Sequence, residues 1–196
     1  MYHKYHTKGL VLYSAPTGEA SKAYFIFTSE LGLVKATARS VRKHNSKLKS
    51  ALTDYSYGDF TFIKGRQGWK LTDAIVSENV FFSLKDYSKL LVLTRLLLLI
   101  RKLIPEEETN RPLFDDFISG LKILLKDDVS DSSLKNLECL MALRILGHLG
   151  YLSAPAHWAD FVYDKKLDTA NLNDFSPFRR EAVKAINRSL EESQLV

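Results

Sequence analysis

Six cations are gathered in one short stretch of the chain: Lys35, Arg39, Arg42, Lys43, Lys47 and Lys49, with His44 among them. No Asp or Glu occurs from Leu31 to Thr53, so these charges have no anion beside them in sequence. Lysine and arginine at this density suit one chemistry above others, neutralising the phosphates of a nucleic acid. Such contacts carry affinity, steepen its dependence on salt and read little sequence. Two alternatives stay open at this level: a solvated basic face, or cations paired with carboxylates through folding. Asp54, just after the cluster, favours neither.

Catalytic chemistry finds less support. The chain has no G-x-S-x-G elbow, no glycine-rich phosphate loop ending in Lys-Ser/Thr and no H-E-x-x-H helix. Asp127-Asp128 reads as a solvated loop, and Asp115-Asp116 as acids placed favourably near a helix start. His3 and His6 lack a third or fourth metal ligand, and His148 and His157 belong to no ligand pattern. Cys139 is the single cysteine, which rules out an intrachain disulfide and a multi-thiolate zinc site within this chain and fits a reducing compartment. It sits in a leucine-rich helix, as a buried inert thiol would. No metal, cofactor or catalytic residue is expected.

The cations need a scaffold. Residues 8–15, 22–28, 33–41, 55–64 and 69–75 read as five strands, separated by turns at Pro16-Thr17-Gly18, Ser29 to Gly32 and Gly65 to Gly68. In the third strand Lys35 and Arg39 share a parity, with Val34, Ala36, Ala38 and Ser40 on the other, so the two cations should project together. Five short strands in about 75 residues describe a small closed or partly open β-barrel. A concave sheet face could add base stacking by Tyr24, Tyr55, Tyr57, Phe60, Phe62 or Trp69, although most of these must fill the core.

Beyond residue 76 the pattern is helical. Residues 79–104 read as one or two leucine-rich helices, bounded by Pro105 and three glutamates. Further helices are expected over 112–126 and 133–147, and Ser176-Pro177 resembles an N-cap with proline at the first helical position. Charge follows this division. Residues 1–72 hold 12 Lys/Arg and 4 Asp/Glu, a net of +8, whereas residues 73–196 hold 16 and 19, a net of −3. The expected organisation is a nucleic-acid-binding domain over 1–75 and a helical domain over 76–196, to which the resemblance given below adds packing and partner binding. The opening MYHKYHTKG is too polar for a signal peptide. The greasiest stretch carries Arg95 at its centre and runs only five apolar residues, Leu96 to Ile100, against the roughly 20 that a membrane span needs.

Four stretches, taken in order, resemble the RecO family of bacterial DNA-repair recombination mediators. They are GLVLYSAPTGEASKAYFIFTSELG (9–32), ATARSVRKHNSKLKSALTDYS (36–56), PLFDDFISGLKIL (112–124) and ALRILGHLGY (142–151). The closing INRSLEESQLV (186–196) is similar to the terminal helix of short members. Arg39 and Arg42 match the family's Lys-x-x-Arg positions, and Lys43, Lys47 and Lys49 fall in its variable basic run. Ser40 stands where the family usually has glycine and Asp54 where it usually has proline. Some relatives carry a four-cysteine zinc module after the Gly-Tyr motif; SAPAHWADFVYDKK, at that place here, contains no cysteine.

The resemblance implies an α+β fold, a five-stranded N-terminal OB-fold β-barrel followed by an all-helical domain. It implies a non-catalytic protein that binds single- and double-stranded DNA and anneals complementary strands. Such proteins act with RecR to load RecA onto DNA coated by single-stranded DNA-binding protein, whose acidic, hydrophobic tail docks on the helical domain. No cofactor, no membrane and a cytoplasmic, nucleoid-associated location go with that reading. An OB-fold module binding RNA or protein without annealing, and an enzyme whose acids converge only in three dimensions, are the competing classes.

Overall fold

A computed structural model describes residues 3–41 and 52–193. The chain divides into two compact units. One comprises Met1–Ser83 and Pro105–Arg111, the other Leu84–Ile104 and Pro112–Val196.

The first unit is built from β1 (Lys4–Thr17), β2 (Ser21–Thr28), β3 (Gly32–Ala38), β4 (Ser56–Gly65) and β5 (Gly68–Asn79), followed by a single turn of helix, α1 (Val80–Ser83). Alternation along β2 and β3 sends Tyr24, Ile26, Val34, Ala36 and Ala38 inward, where they meet Val11, Phe60, Phe62, Trp69 and Leu71. Small residues on the inner side of β3 leave room for these large rings. The strand order is β1-β2-β3-β5-β4, and β4 pairs back onto β1, with Lys4 opposite Ile63 and Leu10 opposite Tyr57.

The sequence expectation of a five-stranded OB-fold β-barrel is corrected at this point. The five strands pair in a closed ring, but as a mixed sheet with one short parallel pairing and not as an evenly laddered barrel. Four pairings are antiparallel, while β3 meets β5 in parallel through just Ala36–Trp69 and Thr37–Lys70 among the described residues. Beyond that short seam the gap beside β3 is taken by the segment Pro105–Arg111. Glu106 bridges to Leu33, and the Glu107 N–H donates to the Leu33 carbonyl at 2.9 Å. The reason is that alternation marks where strands lie but carries no information on which edges join. The strands also differ in extent: β1 and β5 run longer than expected, and β3 stops at Ala38.

The second unit is helical: α2 (Tyr87–Leu103), α3 (Arg111–Leu124, whose first residue belongs to the sheet unit), α4 (Asp131–His148), α5 (Ala159–Tyr163), α6 (Thr169–Phe175) and α7 (Arg179–Glu192). Asp86 caps α2 by accepting from the Ser88 and Lys89 N–H groups at 2.7 and 3.3 Å. Ser130 caps α4 through the Ser133 N–H at 3.2 Å. Helix α4 is the hub, buried nearly all round and packed against α2, α5, α6 and α7. Ser176 does not cap a helix start. It ends α6 with helical backbone angles and, with Pro177 and Phe178, forms a 3₁₀ turn leading into α7. The apolar stretch around Arg95 is a core helix with one exposed side, on which Arg95 pairs with Glu138 at 3.0 Å. No helix among the described residues is long and apolar enough to cross a membrane.

Candidate nucleic-acid interface

Strand β3 presents Lys35 to solvent while its neighbours Val34 and Ala36 are buried. Arg39 follows just beyond the strand and is also exposed. Among the described residues neither cation has a carboxylate partner. Arg42, Lys43, Lys47 and Lys49, the other four expected phosphate contacts, lie outside the described residues. The two residues flanking that basic run are both core residues, Val41 on one side and Leu52 on the other. Ser40 adopts φ 55°, a left-handed conformation that glycine takes more readily.

Two acids of the sheet unit have partners of their own. Asp54 accepts a hydrogen bond from Ser14 Oγ at 2.7 Å. It also stands near Tyr24, whose phenol is pushed up to about 12, first by burial and then by the Asp54 charge. Tyr24 therefore stays neutral at working pH. Glu107 pairs with Lys64 at 2.5 Å, and Lys64 Nζ in turn lies 4.9 Å from the centroid of the Trp69 ring.

The aromatic candidates sort unequally. Tyr24, Phe60, Phe62 and Trp69 are buried, and Tyr55 and Tyr57 are half-buried. Two rings that sequence reasoning passed over occupy the outward side instead. Tyr13 on β1 lies directly opposite Phe25 on β2, and Phe25 lies directly opposite Lys35 on β3. The two rings stack with centroids 4.1 Å apart and planes 11° from parallel. Lys35 Nζ stands 5.4 Å from the Phe25 centroid. The sequence signal was weak but present: Phe25 has the opposite parity to Tyr24 and Ile26, which are inside. A cross-strand row of two aromatics and a cation can hold a flat π-system and an anion side by side. No group of three or more His, Cys, Asp or Glu positioned for a metal ion occurs among the described residues.

Comparison with known proteins bears on this surface. Residues 1–79 match the family model described as Recombination protein O N terminal, and residues 84–155 match Recombination protein O C terminal. The chain belongs to the RecO family. The DNA repair protein RecO of Clostridium acetobutylicum is 30% identical over 147 residues, covering 75% of this chain and 58% of that protein. RecO of Dehalococcoides mccartyi is 28% identical over 179 residues, 89% of this chain and 66% of the relative. RecO of Alkaliphilus metalliredigens is 30% identical over 124 residues, 63% and 50% of the two chains. The chain thus spans between half and two thirds of the length of these RecO proteins. All six expected cations, and the Tyr13–Phe25–Lys35 row with them, fall in the N-terminal RecO match.

Proposed function

We propose that this chain is a non-catalytic recombination mediator that binds single- and double-stranded DNA, anneals complementary single strands and helps to load recombinase onto coated single strands. The observation that carries the reading is the outward placement of Lys35 and Arg39, without carboxylate partners among the described residues, inside a region matched to the RecO family. Lys35, Arg39, Arg42, Lys43, Lys47 and Lys49 neutralise phosphates, and residues 1–75 form the DNA-binding part. Two backbones then approach more closely than their mutual repulsion otherwise permits, and bases pair. Counterion release supplies the driving force. The protein makes and breaks no bond in this scheme and needs no cofactor. Residues 76–196 receive protein partners: RecR and the tail of single-stranded DNA-binding protein, with RecA served indirectly.

The test is annealing of complementary oligonucleotides, together with a salt titration of single-strand binding, for the wild type and for a variant with Arg39, Arg42 and Lys43 changed to Gln. The variant should anneal slowly and lose about 0.7 in the slope of log K against log salt per phosphate contact removed. Unchanged annealing and slope in a folded variant would overturn the assignment.

A further inference from the structure

We propose that Phe25 is a nucleobase-stacking residue, backed by Tyr13, and that Lys35 occupies the base's place when DNA is absent; this rests on the DNA-binding reading above. The inner core of the sheet is filled by Tyr24, Phe60, Phe62 and Trp69 without a ring from Tyr13 or Phe25. Those two rings lie on the outward side, half-buried, on adjacent strands and in face-to-face contact. Tyr13 covers one face of Phe25. The other face is covered by the ammonium of Lys35, an exposed side chain of four rotatable bonds.

A cation at 5.4 Å over a phenyl ring at a solvated site is weakly held. A base stacked on the same face is held more firmly. Stacking moves Lys35 off the ring, and its ammonium becomes available to the phosphate of the same nucleotide. One residue pair thereby reads a base face and a backbone charge together, without regard to base identity. Duplex DNA, whose bases are already stacked, cannot use the site. Phe25 is thus a residue that favours single strands, whereas Arg39 serves single strands and duplexes alike.

The experiment compares the full chain with Phe25→Leu and with Lys35→Gln, using a short oligothymidylate, an abasic strand of equal length and a duplex, each over a range of salt. Leucine keeps an apolar cover on the sheet, and circular dichroism with thermal melts checks the fold. Phe25→Leu should weaken oligothymidylate binding about tenfold at every salt concentration, giving a parallel line, and leave abasic and duplex binding unchanged. Lys35→Gln should reduce the salt slope by about 0.7 on single strands. Equal loss on all three nucleic acids, a changed salt slope, or no loss at all for Phe25→Leu overturns the stacking role while leaving DNA binding intact. Failure of the wild type to bind oligothymidylate removes the DNA reading itself. Should Phe25→Leu not fold, Phe25→Trp gives a second readout: its indole emission should be quenched by oligothymidylate and not by the abasic strand, and equal emission with both overturns the proposal.

Discussion

Gly32 lies so close to Glu108 that a Cβ on the glycine would sit 2.1 Å from the Glu108 carbonyl oxygen. Gly32 also has φ +67°, the left-handed region that L side chains rarely adopt. The Pro105–Arg111 segment is therefore fitted to the β2–β3 turn at backbone level. Thr109 Oγ1 donates to the Glu30 carbonyl at 3.0 Å, and Arg111 pairs with the Glu30 carboxylate at 2.9 Å. Gly32→Ala should cost more than about 3 kcal/mol, because it adds left-handed strain and expels a backbone segment. Urea unfolding measures it, and a midpoint near that of the wild type would refute the fit.

Ser40 is the opposite case. Its φ of 55° carries a penalty that glycine escapes, partly offset by glycine's greater freedom in the unfolded chain. Ser40→Gly should stabilise the sheet unit by about 1 kcal/mol. The check is a rise in urea midpoint with no change in slope.

Glu107 is held below its ordinary carboxylate value chiefly by its hydrogen bond from Lys64, with a slight desolvation working the other way. A folded value below the unfolded one means that the stabilisation is present above about 4.5 and is lost as pH falls through the folded value. Both partners are about half exposed, which limits the effect to under about 1 kcal/mol. Thermal melts against pH should show Glu107→Gln less stable than wild type at neutral pH, with the two curves merging in acid. Added salt should narrow the gap.

In the helical unit, Arg144 of α4 is buried and fully engaged. Its Nε and Nη2 donate to the Phe161 carbonyl at 3.0 and 2.7 Å, Nη2 also to the Lys165 carbonyl, and Nη1 to Asp116 Oδ1 at 2.5 Å. His148 Nε2 meets the other Asp116 oxygen at 3.0 Å. Arg144→Ala takes the donor from one Asp116 oxygen and from two carbonyls, and should destabilise by about 3–5 kcal/mol. Lys165→Ala keeps the accepting carbonyl and should cost under about 1 kcal/mol, mainly from the ammonium held 3.7 Å from the Phe161 centroid. Similar losses for the two variants would contradict this account.

Particular residues show how far local pattern reaches. The outward projection of Lys35 was legible because alternation in β3 is a property of neighbours two apart. Asp116 reads from sequence as an acid near a helix start, yet its partners are Arg144 and His148, 28 and 32 residues away. His148 likewise gives no sign in the sequence of the carboxylate it meets. Tyr13 becomes part of a candidate site only through its register with Phe25, across a bulge between Val11 and Tyr13 that shifts the pairing.

By itself the amino-acid sequence determined the strand-rich first part, the helical second part, the concentration of positive charge in one acid-free stretch of the first part, and the outward parity of Lys35. These follow from periodicity and composition, which act over a few residues. The tertiary structure alone decided that β3 closes on β5 through a short parallel seam, that Pro105–Arg111 returns to the sheet, and that Tyr24 is inside while Phe25 and Tyr13 stack outside. Those outcomes depend on which distant edges meet and in what register, and a one-residue slip in register exchanges every inward side chain for an outward one.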